Sequence, residues 1–340
     1  MKIVFMGTPE FAVPSLKQLL THHQVVAVCT QPDRRAGRGN KMQMPPVKAL
    51  AQTAGVEVLQ PETLTIKKAP QGEADIQSNK TAKQIRDYLK KLAADIFVVA
   101  AYGLKLPKAV LDMPRLGCIN VHASLLPKYR GASPIHMAIK NGETTTGITI
   151  MHMDIGIDTG DIILQRELVI DPQERTPSLH DRMAKLGGEC IIEAVALLEK
   201  GIATRTPQES AAASYAPMIQ KSDGLIHWDW PTAQIINLTR AFDPWPGPYT
   251  LYKGETIKIW RVENAEEANT DKAASPGTVI ALDPSKGFLV RTGDGAAWVL
   301  EIQAPNGKRM AAKDYLRGHE IRVGEKLDIR QNNQPKEEHK

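Results

Sequence analysis

A carboxamide and an imidazole stand two residues apart where an apolar stretch of the sequence ends. Asn120 and His122 close the stretch GCINVH, whose composition predicts a β-strand. Positions i and i+2 of a strand point to the same face, roughly 7 Å apart. Two hydrogen-bonding groups directed to one place can hold a single oxygen atom. Taken alone, a histidine at a strand end more often satisfies a structural hydrogen bond.

A second candidate stretch is MDIGIDTGDII, which is rich in aspartate and glycine. Its aspartates are Asp154, Asp158 and Asp161. They could form turns or, together with His152, bind a metal ion. A calcium loop needs oxygen donors at alternate positions, and Ile155 and Ile157 supply none. The sequence therefore predicts no metal site, and Asp158, which lies between two glycines, is the candidate for chemistry.

The first strand-to-helix turn, GTPE, lies where a dinucleotide-binding fold places its glycines. The turn lacks the pattern G-x-G-x-x-G, and Glu10 would repel a pyrophosphate. A nicotinamide-dependent enzyme is therefore a poor alternative.

The segments that must position these residues alternate between strands and helices. The predicted strands are apolar throughout, as is typical of a parallel sheet covered by helices on both faces. The predicted strands are 2–7, 25–30, 57–59, 94–103, 117–122, 145–153 and 161–170, the last as a hairpin arm, and the predicted helices are 11–20, 47–54, 82–92 and 176–201. The polar segment 64–81 is interpreted as a surface insertion.

The composition changes in the last third of the chain, where all five tryptophans lie. Short β-like pieces separated by glycine and proline turns predict a small antiparallel barrel there. We predict a catalytic domain over 1–204, a linker over 205–218, a barrel over 219–330 and a disordered tail over 331–340. The length of 340 residues suits two domains.

We expect a cytoplasmic protein that is a monomer. Three widely spaced cysteines with apolar neighbours fit buried thiols in a reducing compartment better than a metal or disulfide pattern. The chain opens directly on a predicted strand, which leaves no room for a signal peptide, and it has no apolar run long enough to cross a membrane.

The net charge of +5 is modest, but basic residues concentrate between the second strand and the second helix. Five cations stand there against the single carboxylate of Asp33: Arg34, Arg35, Arg38, Lys41 and Lys48. A local basic loop of this kind suits a polyanionic partner.

Taken together, these stretches resemble the methionyl-tRNA formyltransferase family, within the larger group of enzymes that use 10-formyltetrahydrofolate. The resemblance covers nearly the whole chain and rests on NVHASLLPKYRGASPI, TGITIMHMDIGIDTGDI, TQPDRRAGRGNK and AFDPWPGPYT, in this order and spacing. It implies an α/β fold: a Rossmann-like, mostly parallel sheet followed by a small OB-like antiparallel barrel. It also implies formyl transfer to the α-amine of initiator methionyl-tRNA, with 10-formyltetrahydrofolate as co-substrate and no metal.

The resemblance assigns roles residue by residue. The catalytic residues would be Asn120, His122 and Asp158. The folate-contacting residues would be Ser124, Leu125, Leu126, Pro127, Tyr102, Gly103 and Leu104. The basic residues that contact the acceptor stem of the tRNA would be Arg34, Arg35, Arg38 and Lys41.

Two questions stay open at this level. Asp158 could accept or relay a proton from the incoming amine, or it could pair with His122 and keep it cationic. The acceptor could also be a small amine or a sugar nucleotide, or the enzyme could hydrolyse the formyl donor. A non-enzymatic RNA-binding module is a further alternative, although it leaves the Asn/His/Asp set unexplained.

Overall fold

The structure is a computed structural model, and it describes residues 1–36, 41–265 and 273–327. The predicted tRNA contact Arg38 and the predicted tail 331–340 lie outside these residues. The strands are β1 (Lys2–Gly7), β2 (Gln24–Cys29), β3 (Arg34–Ala36), β4 (Lys41–Gln43), β5 (Val58–Leu59), β6 (Ile96–Ala100), β7 (Cys118–His122), β8 (Arg130–Gly131), β9 (Thr145–His152), β10 (Ile162–Val169), β11 (Tyr215–Ala216), β12 (Tyr249–Tyr252), β13 (Glu255–Asn264), β14 (Val279–Asp283), β15 (Gly287–Arg291), β16 (Ala296–Gln303) and β17 (Met310–Ala311). The helices are α1 (Val13–His22), α2 (Pro46–Thr53), α3 (Glu73–Lys91), α4 (Lys108–Leu111), α5 (Pro134–Lys140), α6 (Thr176–Glu199), α7 (Thr232–Ala241) and α8 (Ala312–Tyr315).

The chain divides into two compact units that interleave along the sequence. The first unit comprises residues 1–134, 145–169 and 179–216, and the second comprises 135–144, 170–178 and 217–340. The domain boundaries predicted at 204 and 218 are drawn along the sequence and stay a prediction, whereas these two units are defined by contacts.

The first unit is built on a seven-stranded sheet with the order β10-β9-β7-β6-β1-β2-β5. The strands from β7 to β5 run parallel, whereas β9 runs antiparallel to both β7 and β10. The side chains of Ile3 to Met6 in β1 are fully buried, because a central parallel strand is covered on both faces. This confirms the predicted α/β class, with 162–169 as the antiparallel hairpin arm.

The three cysteines, Cys29, Cys118 and Cys190, are buried, as predicted. Burial raises the pKa of the Cys29 and Cys118 thiols to about 12, because an apolar surrounding penalises the charged thiolate. These thiols are therefore packing groups.

The segment 64–81, interpreted as a surface insertion, is exposed over most of its length, but it also contains the first part of a helix and a buried residue that the sequence did not predict. Helix α3 begins at Glu73 rather than near Ala82, and Leu64 is fully buried in the core of the first unit. Only the second half of α3 buries apolar side chains, with Ala82 and Leu89 facing the core. Its first half is exposed and polar, so that half shows no hydrophobic periodicity by which to recognise a helix.

The second unit contains an antiparallel sheet with the order β12-β13-β16-β15-β14, to which β17 adds beside β16. Helix α7 packs against β13 within this unit. Buried apolar side chains, including Phe288 on β15 and Val299 on β16, line its strands. This arrangement agrees with the predicted antiparallel C-terminal domain.

Candidate active site

Strand β7 brings the amide and the imidazole to the carboxyl end of the parallel sheet. Asn120 pairs with Val99 on β6 and Met151 on β9. His122 is only 5% exposed, and Asn120 is half-buried. Because side chains alternate along a strand, the two residues share one face, as their spacing predicts.

The loop between β9 and β10 separates the roles of its aspartates. The carboxylate of Asp154 accepts hydrogen bonds from the Gly156 N–H at 2.9 Å and the Thr159 hydroxyl at 2.6 Å. Asp154 therefore forms the turn. The carbonyl of Asp161 accepts the His152 N–H at 2.8 Å, which closes the loop onto β9.

Asp158 projects from this loop to the end of β7. Its Oδ1 lies 3.5 Å from Asn120 Nδ2, and its Oδ2 lies 3.6 Å from His122 Nδ1. Oδ2 also accepts the Gly131 N–H at 2.8 Å, which fixes the carboxylate between the two side chains. The structure thus brings together the three predicted catalytic residues, which lie up to 38 positions apart in sequence.

The hydrogen bond of His122 to the main chain decides which nitrogen faces the site. Nε2 lies 3.0 Å from the Tyr129 carbonyl oxygen, which can only accept, so Nε2 carries a hydrogen. Nδ1 is the other ring nitrogen, and it is directed toward the Asp158 carboxylate and the site.

An apolar cleft of about 260 Å³ opens beside Asp158. It is lined by Leu104, Lys105, Leu106, Met151, Met153, Asp154, Ile155, Gly156, Ile157 and Asp158. Ile155 and Ile157 are 69% and 66% exposed, which is unusual for large apolar side chains. The cleft therefore offers an apolar surface next to the polar cluster, as a site for a planar ring would require.

The three residues of the predicted pterin region occupy different places. Leu104 lines the cleft, whereas the Tyr102 side chain is buried in the core of the first unit. Burial raises the pKa of the Tyr102 hydroxyl. The Tyr102 carbonyl accepts hydrogen bonds from Thr8 at 3.0 Å and Gln31 at 3.1 Å, so the ends of β1 and β2 hold this segment. Gly103 packs so close to Gln31 that a Cβ would lie 2.2 Å from its Nε2.

The predicted folate loop, from Ser124 to Pro127, follows β7 directly. The Ser124 hydroxyl donates to the Lys128 carbonyl at 2.6 Å, and the Leu126 side chain is buried. Leu125 and Pro127 are half-buried. The Ser124 and Leu126 side chains thus hold the loop itself, and any ligand contact falls to the other two and to the main chain.

A basic ribbon is formed by β3 and β4. Arg34 is paired with Gln43, and Arg35 with Met42. By strand alternation, Arg34 shares one face with Lys41, and Arg35 lies on the other face. All three cations are exposed.

The base of the ribbon is tied to the first unit by an ion pair. Lys48 Nζ donates to both oxygens of Asp33 at 2.8 Å, and Gln60 donates to the same carboxylate at 2.8 Å. The hydrogen bond from Lys48, followed by that from Gln60, holds the pKa of Asp33 below its usual value. The charge of Lys48 is therefore compensated, which leaves the ribbon cations for an external partner.

Comparison with known proteins identifies the family. A family model described as Formyl transferase matches residues 1–195, and one described as Formyl transferase, C-terminal domain, matches residues 218–320. The methionyl-tRNA formyltransferase of Ruminiclostridium cellulolyticum is 45% identical over 328 residues, which are 96% of this chain and 99% of that protein. The chain belongs to the methionyl-tRNA formyltransferase family. The methionyl-tRNA formyltransferase of Caldanaerobacter subterraneus subsp. tengcongensis supports this assignment. It is 46% identical over 325 residues, which are 95% of this chain and 99% of that protein.

Solved formyltransferase structures share the fold. The sugar 3N-formyl transferase WlaRD, in the presence of dTDP and 5-N-formyl-THF, superposes with a TM-score of 0.61 at 20% identity. The match covers 89% of this chain and 96% of WlaRD. The resemblance drawn from the sequence is therefore confirmed at the level of family and fold.

Several groups of this formyltransferase site escaped prediction. They are the Tyr129 carbonyl, the Gly131 N–H, the Gln208 carboxamide and the Thr149 hydroxyl, which donates to the Ser124 carbonyl at 2.6 Å. The first two are main-chain atoms and carry no side-chain signal. The other two are side chains from segments that are distant in sequence. The motif NVHASLLPKYRGASPI contains Tyr129 and Gly131, so it indicated the region of the two main-chain contacts but not the contacts themselves.

Two classes of feature are absent from the parts of the chain that the structure describes. The described residues contain no group of three or more His, Cys, Asp or Glu side chains that could hold a metal ion. Their helices include none that is long and apolar enough to span a membrane. His152, which the sequence set beside the aspartates, is buried, and burial lowers its pKa.

Gly160 is required by the packing of the Asp158 loop. A Cβ at this position would lie 1.9 Å from the His152 carbonyl oxygen, so Gly160→Ala must move main chain. We expect the free energy of unfolding to fall by about 1–3 kcal/mol, as for other overpacked sites, with loss of formyl transfer. Thermal unfolding and kcat/KM measure the two effects. Gly318→Ala is the matched control, because a Cβ there meets no atom within 4 Å; equal effects of both variants would contradict the assignment.

Proposed function

We propose that this protein transfers the formyl group of 10-formyltetrahydrofolate to the α-amine of methionyl-tRNA. The observation that carries the proposal is the convergence of Asn120, His122 and Asp158 beside an apolar cleft. Family membership supports it, since relatives about 45% identical over nearly the whole chain are methionyl-tRNA formyltransferases. The donor set and the cleft suit a folate co-substrate, which supplies the activated formyl carbon.

The chemistry asks little of a general base. Model α-amines have a pKa of about 7.7–8.0, so an appreciable fraction is neutral near pH 7. The costly event is the build-up of negative charge on the formyl oxygen as the amine attacks. Asn120 Nδ2 carries two hydrogens and can donate one to this oxygen. His122 Nδ1 lies 3.6 Å from Asp158 Oδ2, beyond hydrogen-bond length, so in a protonated His122 its hydrogen can be donated to the formyl oxygen as well. One such donor is worth roughly 10²–10³ in rate.

Asp158 is proposed to act first as the partner of His122. Its Oδ2 faces the only imidazole nitrogen that is not bonded to main chain, and its Oδ1 faces the Asn120 amide. The carboxylate is thereby proposed to keep both donors aligned with the formyl oxygen. A second proposed role for the same carboxylate is to accept the proton of the attacking amine, which then passes to the folate nitrogen as its bond to the formyl carbon breaks.

The folate is proposed to place its pterin in the cleft beside Leu104 and the Asp158 loop. Ser124, Leu125, Leu126 and Pro127, together with Tyr102 and Gly103, would form the walls and their support. The main chain supplies most of the polar contacts in this proposal, because the side chains of Ser124 and Tyr102 are buried.

Recognition of tRNA is proposed to use the basic ribbon, whose Arg34, Arg35 and Lys41 would contact acceptor-stem phosphates together with Arg38. Cations of this kind give affinity that depends on salt and position the nucleic acid. A cytoplasmic monomer is the proposed form of the enzyme.

The ribbon proposal predicts a selective defect in tRNA binding. Arg34→Ala/Lys41→Ala removes two exposed cations from one face of the ribbon, so the slope of log affinity against log salt should fall by about 2. The KM for methionyl-tRNA should rise, while the KM for the formyl donor stays within about twofold of the wild type. Lys90→Ala/Lys91→Ala removes the same charge from the exposed end of α3 and serves as the control. An unchanged salt slope would refute the ribbon as the contact surface.

Acceptor choice is tested with labelled formyl donor and a panel of acceptors. Methionyl-tRNA should accept the label, whereas uncharged tRNA and free methionine should not. Transfer to a sugar nucleotide or a small amine at a higher kcat/KM would replace the proposed acceptor. Loss of donor with no acceptor present, at the same rate, would identify a hydrolase.

A further inference from the structure

A glutamine outside the predicted site bridges two parts of it. Gln208 lies in the segment that follows α6, which the sequence suggested was a linker. Two hydrogen bonds between Thr206 and Ile162 anchor this segment to the start of β10. The Gln208 carboxamide nitrogen donates to the Asp158 carbonyl at 2.9 Å and to the Gly160 carbonyl at 2.8 Å.

The orientation of this carboxamide is imposed by an arginine. Arg130 is only 4% exposed, and its Nε and one terminal nitrogen donate to Gln208 Oε1 at 3.0 and 2.8 Å. A guanidinium has donors only, so the amide oxygen must face it and the amide N–H groups must face the loop. Both hydrogens of the Gln208 amide are thereby committed to the two carbonyls.

The bridge acts on a residue in an uncommon conformation. Asp158 has a φ of +53°, in the left-handed region that non-glycine residues rarely adopt. Its carbonyl is held by Gln208, and its carboxylate is held by the N–H of Gly131, the residue after Arg130. The main chain of Asp158 is thus fixed by Gln208, which Arg130 orients, and its side chain is fixed by the neighbouring Gly131.

We propose that Gln208 is a positioning residue, which sets the Asp158 carboxylate against His122 and Asn120 through its two N–H donors. The catalytic part of this inference rests on the proposed formyl transfer. A misplacement of about 1 Å in a catalytic group can cost on the order of 10²-fold in rate. Loss of the two donors should therefore lower kcat by roughly 10–100-fold.

Gln208→Glu separates positioning from simple anchoring. The carboxylate still accepts both N–H groups of Arg130, in a stronger charge-assisted pair, but it repels the Asp158 and Gly160 carbonyls. Positioning predicts the loss of kcat, a KM for the formyl donor within about threefold of wild type and a retained melting temperature. Gln84→Glu on the exposed face of α3 is the matched control and should behave as wild type. Wild-type kcat in Gln208→Glu would overturn the proposal.

A readout without activity keeps this inference distinct from the proposed function. Hydrogen exchange should be faster at the Gly131 N–H in Gln208→Glu than in wild type or Gln84→Glu, since Asp158 no longer holds its place. Unchanged exchange at Gly131 would overturn positioning even if the wild type transfers formyl efficiently. Failure of the wild type to formylate methionyl-tRNA, with faster exchange in the variant, would overturn the function and leave the structural bridge.

Discussion

Asp158→Asn should lower kcat/KM for methionyl-tRNA by on the order of 10²–10³-fold, the range of general acid–base and oxyanion contributions. The substitution keeps the size of the side chain and an oxygen that can accept the Gly131 N–H. It removes the negative charge that lies 3.6 Å from His122 Nδ1, so the side chain no longer aligns the imidazole with the formyl oxygen and no longer accepts a proton from the amine. Steady-state kinetics with saturating formyl donor measure the effect.

The control for this prediction is Asp87→Asn, the same change at an exposed position of α3. It should leave kcat/KM unchanged. A loss below about tenfold in Asp158→Asn, about 1.4 kcal/mol, would show that the carboxylate takes no part in the reaction.

Asn120→Ala should reduce kcat by about 10²–10³-fold, because it deletes one of the two donors proposed to hold the developing oxyanion. The binding of the formyl donor should change little, since Asn120 is proposed to interact with the formyl oxygen mainly when charge builds up on it. Steady-state kinetics give kcat, and equilibrium titration with a folate analogue gives the dissociation constant of the donor site, so the two effects are measured separately. A raised dissociation constant with an unchanged kcat would place Asn120 in substrate binding instead.

A second substitution at the same position controls for the loss of packing in Asn120→Ala. Asn120→Asp keeps the volume but replaces the donor by an acceptor beside the Asp158 carboxylate, 3.5 Å from the present amide nitrogen. It should be no more active than Asn120→Ala. Activity above that of the alanine variant would argue that shape, rather than hydrogen-bond donation, is what Asn120 contributes.

Local patterns predicted the parts of the site that depend on strand alternation. Asn120 and His122 share a face because they lie two residues apart on a buried strand, and that spacing is visible in the sequence. Asp158 was recognisable only as an aspartate between glycines. Its approach to β7 depends on the antiparallel turn of β9 and β10, which only the fold determines.

The unpredicted contacts have physical causes of another kind. The Tyr129 carbonyl, which orients His122, is a main-chain group that any residue type would supply. Gln208 reaches the site from a segment whose composition resembles a linker, so its role depends on contacts with Arg130 and the loop. The first half of α3 escaped recognition because its exposed face has no apolar period.

The resemblance marks a region of the chain around the folate, and the structure shows which side chains in that region are exposed. It directed attention to Tyr102 and Ser124 as folate contacts, yet both side chains are buried. Leu104 does line the cleft beside Asp158.

The most direct test of the central claim is single-turnover transfer of labelled formyl from 10-formyltetrahydrofolate to methionyl-tRNA, with excess enzyme. The wild type and the double variant Asn120→Ala/Asp158→Asn are compared on the same preparation of tRNA. If Asn120 and Asp158 act as one unit, their effects are not independent. The double variant should then be slower than the wild type by about 10³-fold or more, but by less than the product of the two single losses. A double variant that folds normally and transfers formyl within tenfold of the wild-type rate would contradict the account.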